Sequence, residues 1–414
     1  MFSYFDKNHI YTAFEMQRVA IVPLNIMANS CREFYGNLMN PIAYTEMGRS
    51  LAASCELMER MTRRYLKPEF GIKSIEVDGK EVKVRQYVSK KKIFCNLLHF
   101  KKDISKKQPK LLIVAPMSGH YATLLRGTVK GLLPHFDVYI TDWRNASDVP
   151  VSHGTFDLDD YIEYVMEFIR AIKGDVHVMA VCQPAVPVMA AVSLMSSEKD
   201  PKTPKSMILI GGPIDTRKNP TAVNKLAEDR PIEWFENNVI TNVPFNYPGV
   251  MRRVYPGFLQ LTGFMSMNLD RHIKAHHDFF NHLVEGDGES ADTHKDFYNE
   301  YRSVMDVTAE YYLQTIRTVF KGHSLPDGAM VCRGRKVRPQ DIKNTGVMAI
   351  EGERDDISGR NQTKAALDLC TSLPKEKKHY HLQKGVGHYG TFNGRRFTKE
   401  IVPAIKEFIS KNSK

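Results

Sequence analysis

The sequence predicts an α/β protein organised around a parallel β-sheet. From Lys110 onward, short apolar runs typical of buried strands alternate with longer stretches that carry apolar residues at helical spacing. Such alternation is typical of βα units, whose successive strands lie parallel in one sheet. The predicted strands are Leu111–Ala115, Asp137–Ile140, Val176–Val181, Ser206–Ile210, Val347–Ile350 and His379–Leu382. The predicted helices are Tyr121–Leu133, Leu158–Ile172, Pro184–Ser196, Gln362–Ser372 and Lys399–Ser410.

The part of the chain before this alternation is predicted to be a helical extension followed by a hairpin. Residues 1–68 form the extension, because apolar residues recur at helical spacing over Ile10–Ala43 and Met47–Tyr65. An Asp-Gly pair between two segments of period two then predicts a β-hairpin at Ile75–Val82. The 414 residues, 42% hydrophobic and 25% charged, are enough for one large globular domain with an insertion.

The alternation of strands and helices is interrupted once. Residues 69–218 and 345–414 are predicted to form the two parts of the α/β core, and residues 219–344 separate them. This middle segment is rich in aromatic residues and is expected to be mostly helical. An insertion at the carboxyl edge of a parallel sheet naturally covers the site formed there. We therefore expect residues 219–344 to be a lid.

The first residues and the cysteines favour a cytoplasmic protein. Residues 1–7 contain no basic region followed by an apolar run, so no secretory signal is expected. The cysteines follow no pairing or metal-binding pattern, and we expect all of them to be reduced thiols. They are Cys31, Cys55, Cys95, Cys182, Cys332 and Cys370. No segment has the length and composition of a transmembrane helix.

The charge of the chain is strongly positive, with a formal net charge of +11. Eight lysines fall between Ser89 and Lys110, a block that is typically a solvated surface. No nucleic-acid-binding signature accompanies these lysines, so nucleic acid is not an expected partner. His272 and His276 lie four residues apart but lack the glutamate of a zinc-protease helix. With no phosphate-cradling loop or dinucleotide fingerprint either, the sequence predicts no metal and no cofactor.

The chain turns from a strand into a helix at Cys182. The strand Val176–Val181 ends there, and Pro184 and Pro187 follow, which are tolerated only in the first turn of a helix. We therefore expect the helix to begin directly after Cys182. A tight strand-to-helix turn of this kind is typical of a nucleophile elbow. The flanks are Ala180 and Pro184 instead of the usual glycines, so a buried structural cysteine is the alternative.

Two further motifs follow predicted strands. Asp355 and Asp356 come after the fifth predicted strand, and His388 comes after the sixth. The order nucleophile, acid, histidine, each at the carboxyl end of a strand, is that of the α/β-hydrolase fold. We therefore predict an α/β-hydrolase fold with a large helical lid insertion and a catalytic set of Cys182, Asp355 and His388. Asp355 is preferred to Asp356 because of its position three residues after the turn glycine Gly352.

Each predicted catalytic residue has an expected role. His388 would take the proton of the Cys182 thiol and later return a proton to the leaving group, while Asp355 would orient the histidine and stabilise its protonated form. The backbone N–H of Gln183 is one candidate oxyanion donor. A second donor, Met117 or Ser118, is expected from the loop that follows the first strand of the core.

These motifs resemble those of the bacterial intracellular poly(3-hydroxybutyrate) (PHB) depolymerases, α/β hydrolases that use a cysteine nucleophile. The resemblance covers essentially the whole chain. It rests on Ala180-Val181-Cys182-Gln183-Pro184, Tyr139-Ile140-Thr141-Asp142-Trp143-Arg144-Asn145, Glu351-Gly352-Glu353-Arg354-Asp355-Asp356-Ile357 and Gly387-His388-Tyr389-Gly390. It implies the same nucleophile, acid and base. It also implies hydrolysis of the polyester of cytoplasmic storage granules, with the polymer and the granule surface as partners.

A thiol nucleophile would form an acyl thioester, which exchanges readily with other thiols. Coenzyme A is therefore a candidate acyl acceptor besides water, although the sequence contains no nucleotide-binding motif for it. Two other functions remain open. One is a polyhydroxyalkanoate synthase-like acyltransferase, whose glycine-flanked elbow the chain lacks. The other is a non-catalytic granule-surface protein anchored by the lysines of residues 89–110 and the aromatic insertion.

Overall fold

A computed structural model describes residues 9–413, which begin with a pair of helices, α1 and α2. They are α1 (His9–Gly36) and α2 (Glu46–Thr62), joined through a 3-10 turn at Pro41–Tyr44. The side chain of Asn25 pairs with Thr62 at one end of the pair, and Cys31 is bonded to Cys55 nearer the other end, so the two helices run antiparallel. The predicted helical extension is thus a helical hairpin from His9 onward, and residues 1–8 lie outside the described part.

The disulfide in this hairpin contradicts the expectation that all six cysteines are reduced. Cys31 and Cys55 are bonded, with their Cα atoms 5.9 Å apart. They are 24 residues apart in sequence, and only the antiparallel packing of the two helices brings them together. Cys95, Cys332 and Cys370 are free and buried, and Cys182 is free and half-buried.

The chain then enters a nine-stranded sheet through antiparallel strands. These are β1 (Ser74–Val77), β2 (Lys80–Lys91) and β3 (Cys95–Lys102). The predicted Asp-Gly turn connects the first two strands, with positive φ at both Asp78 and Gly79, as a two-residue hairpin requires. The lysine-rich segment is only partly solvated. Lys90 and Lys92 pair with Glu167, and Lys102 is buried, where desolvation lowers its pKa to about 8.

The first part of the α/β core alternates as predicted. Its strands are β4 (Lys110–Val114), β5 (Asp137–Trp143), β6 (Val176–Val181) and β7 (Ser206–Ile210), and its helices are α3 (Arg126–Leu132), α4 (Leu158–Ala171) and α5 (Ala185–Ser197). The helix predicted over Tyr121–Leu133 is split, because its first turn, Ala122–Leu125, is 3-10. Every residue of β6 and β7 is buried, which explains their continuous apolar sequences.

Residues 219–344 are mainly helical but also contain short strands that the sequence did not predict. The helices are α6 (Ala222–Asp229), α7 (Ile232–Asn238), α8 (Gly257–Met267), α9 (Leu269–Glu285), α10 (Gly288–Tyr301) and α11 (Ala309–Thr315). The strands are β8 (Thr241–Asn242), β9 (Arg253–Tyr255), β10 (Val307–Thr308), β11 (Val331–Cys332) and β12 (Arg335–Lys336). They form one three-stranded and one two-stranded sheet.

The chain returns to the core with two more strands and a terminal helix. These elements are β13 (Gly346–Gly352), α12 (Ala365–Leu369), β14 (Lys378–Gln383), α13 (Gly394–Arg396) and α14 (Val402–Asn412). The helix predicted over Gln362–Ser372 is shorter than expected, and the one predicted over Lys399–Ser410 begins with a π turn at Phe397–Ile401.

The main sheet has the strand order β1-β2-β3-β5-β4-β6-β7-β13-β14. Strands from β5 to β14 pair in parallel, whereas β3 pairs antiparallel with β5 and begins the antiparallel edge. The reversal of order at β5-β4 and the nucleophile-type turn after β6 are those of the α/β-hydrolase fold. No helix within residues 9–413 is long and apolar enough to cross a membrane.

One buried carboxylate, Asp306, joins three regions of the chain. Its Oδ2 accepts a hydrogen bond from the Tyr11 hydroxyl of α1 at 2.7 Å, and its Oδ1 accepts one from the N–H of Gly257 at the start of α8 at 2.9 Å. Its own N–H donates to Asn145 Oδ1 after β5 at 2.9 Å. The N-terminal hairpin, the inserted segment and the core therefore share one fully enclosed polar junction.

Candidate active site

Cys182 lies in the turn between β6 and α5 in a left-handed conformation, with φ of 68°. Its N–H donates to the carbonyl of Ile210 on β7 at 2.7 Å, and its carbonyl accepts from the N–H of Ala185 at 3.1 Å. A non-glycine residue in this region is strained by about 1–3 kcal/mol, and such strain is concentrated at functional sites. The expectation that the helix begins directly after Cys182 is wrong by two residues, because Gln183 and Pro184 form a turn before Ala185.

The close packing of strand and helix at this turn depends on a glycine of the neighbouring strand end. A Cβ atom on Gly212 would lie 2.1 Å from the Cβ of Ala185 and 3.0 Å from the carbonyl oxygen of Cys182. Gly212, the second residue after β7, therefore leaves the space that the start of the helix occupies at this turn.

The structure brings His388 and Asp355 together at the carboxyl ends of β14 and β13. His388 Nδ1 and Asp355 Oδ2 are 2.8 Å apart, and the two side chains are 4% and 0% exposed. The other carboxylate oxygen, Oδ1, accepts from the N–H groups of Ile357 at 2.9 Å and Ser358 at 2.8 Å. Asp355 is therefore fixed on both oxygens.

The adjacent acid lies in a different environment. Asp356 Oδ2 accepts a hydrogen bond from the side chain of Asn268, between α8 and α9, at 2.9 Å. It therefore faces the inserted segment while Asp355 faces His388. The turn after β13 therefore directs the two neighbouring acids towards different partners. From the sequence, Asp355 could be preferred for the contact with His388 only because of its distance from Gly352.

The side chain of Cys182 lies close to His388, and both line one cavity. Burial by itself lowers the pKa of this histidine, but its interactions with Asp355 and Cys182 raise its pKa well above the ordinary value. The site therefore favours a protonated imidazole beside Cys182. Cysteine enzymes use such a pair, because the thiolate is the nucleophilic form of the side chain.

A second glycine leaves room for this pair. Gly211 directly follows β7 and has φ of 55°, and a Cβ there would lie 3.1 Å from His388 Cε1 and 3.3 Å from Asp355 Oδ2. The sequence analysis did not assign Gly211 to the site. The pair Gly211 and Gly212 directly follows β7, the neighbour of the strand that leads to Cys182. This glycine pair could have indicated the position from sequence.

The loop after β4 is held beside Cys182 by residues that the sequence analysis also missed. The carbonyl of Ala115 accepts hydrogen bonds from Trp143 Nε1 at 2.8 Å and from the Tyr161 hydroxyl at 3.0 Å. Met117 and Ser118, the next residues along, line the same cavity as Cys182 and Gln183. Within residues 9–413, the backbone N–H groups of Met117, Ser118 and Gln183 donate to no protein acceptor, so they are available to bind an oxyanion.

The inserted segment fixes the side chain of Gln183, the residue after Cys182. The hydroxyl of Tyr311 donates to Gln183 Oε1 at 2.6 Å. Tyr311 is buried, its ring stacks on Tyr161 with centroids 5.5 Å apart, and burial raises the pKa of its hydroxyl, which stays protonated. One aromatic pair thus connects the residue after Cys182 with the loop after β4.

A cavity of about 420 Å³ opens beside Cys182 and His388. Its apolar lining comes largely from the inserted segment and includes Leu226, Phe235, Phe264, Met267, Ile316 and Phe320. None of the lining residues within the described chain carries a Lys, Arg, Asp or Glu side chain. The cavity therefore suits a neutral, aliphatic acyl group.

Two groups of histidines lie outside the reacting pair. His120 lines the cavity with its Nε2 3.0 Å from the carbonyl of Tyr301, and burial lowers its pKa to about 4. In α9, His272 Nδ1 lies 2.8 Å from the Tyr298 hydroxyl, and His276 Nδ1 lies 2.9 Å from the His272 carbonyl. The described residues contain no cluster of side chains that could hold a metal ion.

Comparison with known families identifies the second half of the chain. Residues 211–413 match the family model described as the PHB de-polymerase C-terminus. The second half of the chain therefore belongs to the PHB depolymerases, which are carboxylic ester hydrolases. The matched region contains Gly211, Asp355 and His388, whereas Cys182 precedes it.

Other comparisons return only distant similarities. A search of curated proteins found no significant match to the depolymerase. Among solved structures, a monoacylglycerol lipase from Paleococcus ferrophilus is 10% identical over 80% of this chain and 100% of its own, with a TM-score of 0.44. A soluble variant of monoglyceride lipase from Saccharomyces cerevisiae is 11% identical over 84% of this chain and 98% of its own, with a TM-score of 0.45. These similarities are too weak to bear on the activity.

Proposed function

We propose that the depolymerase cleaves the ester bonds of PHB by nucleophilic catalysis, with Cys182 as nucleophile, His388 as acid and base, and Asp355 as the residue that orients the histidine. The observation that carries this proposal is the position of His388, whose Nδ1 lies 2.8 Å from Asp355 Oδ2 and whose ring lies close to the side chain of Cys182. A nucleophile, a base within reach and a third group that orients the base are the signature of an activated nucleophile.

In the first half of the reaction, the Cys182 thiolate attacks the carbonyl carbon of a polymer ester. The negative charge that develops on the carbonyl oxygen is stabilised by the N–H of Gln183 and by one from Met117 or Ser118. Protonated His388 then donates its proton to the departing alkoxide oxygen. One polymer fragment leaves with a free hydroxyl end, and the other remains bound to Cys182 as a thioester.

In the second half, water replaces the departed alcohol. His388, now neutral, takes a proton from the water as it attacks the thioester carbonyl, and the thiolate leaves as the carboxylic acid forms. The carboxylate oxygens of Asp355 accept hydrogen bonds from His388, Ile357 and Ser358. Its role is to hold the imidazole ring in one orientation and to stabilise the imidazolium.

The experiment is a comparison of two cysteine variants on amorphous PHB. We expect Cys182→Ala to abolish the release of soluble hydroxyacids, while Cys332→Ala, which removes a buried free thiol elsewhere, retains turnover. A parent sample quenched in acid should carry a hydroxyacyl adduct on the peptide containing Cys182 in mass spectrometry. Turnover by Cys182→Ala at the parental rate would exclude this mechanism. Chain growth from hydroxyacyl-CoA would instead assign the site to a synthase-like acyltransferase.

We also infer that the enzyme works on storage granules in the cytoplasm. The support is the PHB depolymerase match and a cavity of neutral, apolar lining. Fractionation of granule-containing cells tests this location, and recovery of the protein away from granules would contradict it. Granule binding without any PHB turnover by the parent protein would support a non-catalytic coat protein instead.

Coenzyme A is a second candidate acyl acceptor besides water, because a thioester can transfer its acyl group to another thiol. Its thiolate would attack the thioester carbonyl, releasing hydroxyacyl-CoA and restoring the Cys182 thiolate. The described lining residues include no Lys or Arg side chain, so the phosphates of coenzyme A would remain at the mouth of the cavity. Degradation of amorphous PHB with and without coenzyme A, followed by mass spectrometry for 3-hydroxybutyryl-CoA, tests this route. Free acids alone in both samples would leave water as the acceptor.

A further inference from the structure

The outward side of α1 is apolar and exposed over several turns. At 100° per residue, Tyr11, Phe14, Asn25, Ala28 and Arg32 fall on the side that faces the protein. The opposite side, which we call the outer face of α1, is formed by Met16, Val19, Pro23, Ile26, Met27, Ser30 and Phe34. Val19, Ile26 and Met27 are 71%, 60% and 68% exposed. Continuous exposed apolar surface of this kind typically marks an interaction site.

This face is held in place by contacts on the other side of the helix. Asn25 Nδ2 donates to the Glu59 carbonyl at 2.9 Å and to Thr62 at 3.0 Å, and the Cys31–Cys55 disulfide joins the two helices. Near the start of α1, Tyr11 donates to the buried Asp306. The outer face therefore belongs to a fixed helix and is not an unfolded apolar segment.

The outer face lies next to the elements that form the cavity. The ring of Phe14 stacks on Phe258 of α8 with centroids 3.9 Å apart, and the same helix places Phe264 and Met267 in the cavity wall. The Glu15 carboxylate accepts from the hydroxyl of Tyr247 at 3.0 Å, close in sequence to the fully exposed ring of Phe245. A surface that covered α1 would thus also lie beside the helix that borders the active site.

The chemistry of the outer face selects a neutral partner. Residues 19–31 contain no charged side chain, although the chain as a whole carries a net charge of +11. An anionic lipid surface or a nucleic acid would be met by lysines and arginines. An aliphatic polyester exposes methyl groups, methylenes and ester carbonyls without charge, and it is the insoluble substrate of this family.

We propose that the outer face of α1 is a docking surface for amorphous polyester, and that it holds the cavity mouth against the polymer. The proposal rests on the proposed function only for the identity of the polymer; it adds a binding surface separate from the catalytic residues. Burial of the Val19, Ile26 and Met27 side chains against the polymer would contribute to adsorption through the hydrophobic effect. Enzyme lacking this surface would still hydrolyse small soluble esters.

The test separates binding from catalysis with two triple variants. The first, Val19→Gln/Ile26→Gln/Met27→Gln, removes the apolar character of the outer face with residues that favour helix. The matched control, Val88→Gln/Ile93→Gln/Val331→Gln, changes three exposed aliphatic side chains on β2, the β2–β3 connection and β11. Each triple variant is made in two backgrounds. In the parent, we measure turnover of a water-soluble hydroxybutyrate trimer ester and of amorphous PHB. In Cys182→Ala, we measure cosedimentation with PHB particles and with neutral and anionic lipid vesicles.

We expect the outer-face variant to bind PHB particles at least about tenfold more weakly than the control, with unchanged kcat/KM on the soluble ester. Equal binding by the two triple variants would overturn the proposal. If the outer-face variant loses only its binding to lipid vesicles, the face is a membrane-binding surface and the proposal is overturned. If the variant keeps its binding to PHB but changes from dimer to monomer, the face binds a second copy of the chain and the proposal is likewise overturned. If the parent itself does not hydrolyse the soluble ester, the proposed catalytic function is contradicted. The cosedimentation measurements would still decide whether the outer face binds PHB.

Discussion

Replacing Gly211 with alanine tests whether the space beside His388 is essential for ester hydrolysis. The new methyl group would lie 3.1 Å from His388 Cε1 and 3.3 Å from Asp355 Oδ2, where carbon contacts prefer about 3.5–4.0 Å. The imidazole must therefore shift by a few tenths of an ångström. Because a misplacement of about 1 Å can cost about 100-fold in rate, we expect kcat to fall about tenfold. KM should change less than kcat, since only one methyl group is added to the cavity wall.

The same substitution also affects stability, and a control can measure that part separately. Gly211 has φ of 55°, and an alanine in the left-handed region costs about 1–2 kcal/mol. Gly286, at the end of α9, has φ of 79°, and a Cβ there meets no atom within 4 Å. Gly286→Ala should therefore reduce the free energy of unfolding by a similar amount and leave kcat unchanged.

The assay is initial-rate hydrolysis of a soluble hydroxybutyrate ester, together with urea unfolding of the parent and of both variants. The reasoning requires that only Gly211→Ala combine lost stability with a lower kcat. If Gly211→Ala keeps the parental kcat, the close approach to His388 has no catalytic consequence. If Gly286→Ala loses as much activity, general destabilisation explains both.

Four further predictions follow from the site. Asp355→Asn should lower kcat by several orders of magnitude in steady-state assays and Asp356→Asn by far less; the reverse ranking would move the orienting role to Asp356. Tyr311→Phe should lower kcat about tenfold by freeing the side chain of Gln183, with a circular dichroism spectrum like that of the parent; an unchanged kcat would show that Gln183 needs no such support. Amorphous PHB particles should be degraded much faster than crystalline ones, because a chain must leave its surroundings to enter the cavity; equal rates would argue against entry beneath the insertion. The folded-state pKa of His388 is raised, so its contribution to the free energy of unfolding is fully present below a pH of about 6.5. This contribution is lost as the pH rises through the raised pKa. The difference in unfolding free energy between the parent and His388→Gln should therefore shrink in urea titrations at increasing pH.

The strands along the chain and the candidate residues at their ends could be predicted from sequence because each signal is local. The buried strands β6 and β13 are mostly apolar runs, and the candidates Cys182 and Asp355 follow them. The position of Asp355 beside His388 followed from the same logic. What fixes Asp355, however, is a pair of N–H groups in the turn, which no pattern of side chains reveals.

The parts that could not be predicted depend on contacts between distant segments. The Cys31–Cys55 bond requires the antiparallel packing of two helices, and nothing in the spacing of these cysteines indicates it. The supports of the loop after β4, Trp143 and Tyr161, belong to a strand and a helix further along the chain. The short strands of the inserted segment contain two or three residues each, too few to show a period.

The shared junction at Asp306 has a consequence for how the molecule can be divided. A carboxylate that is enclosed on all sides is costly unless its partners stay in place, and here those partners come from the N-terminal hairpin, the insertion and the core. Removing the hairpin would leave Oδ2 without the Tyr11 hydroxyl. The first helix is therefore part of the folding unit. A truncated or circularly permuted version of this protein must preserve Tyr11 to keep the inserted segment packed on the core.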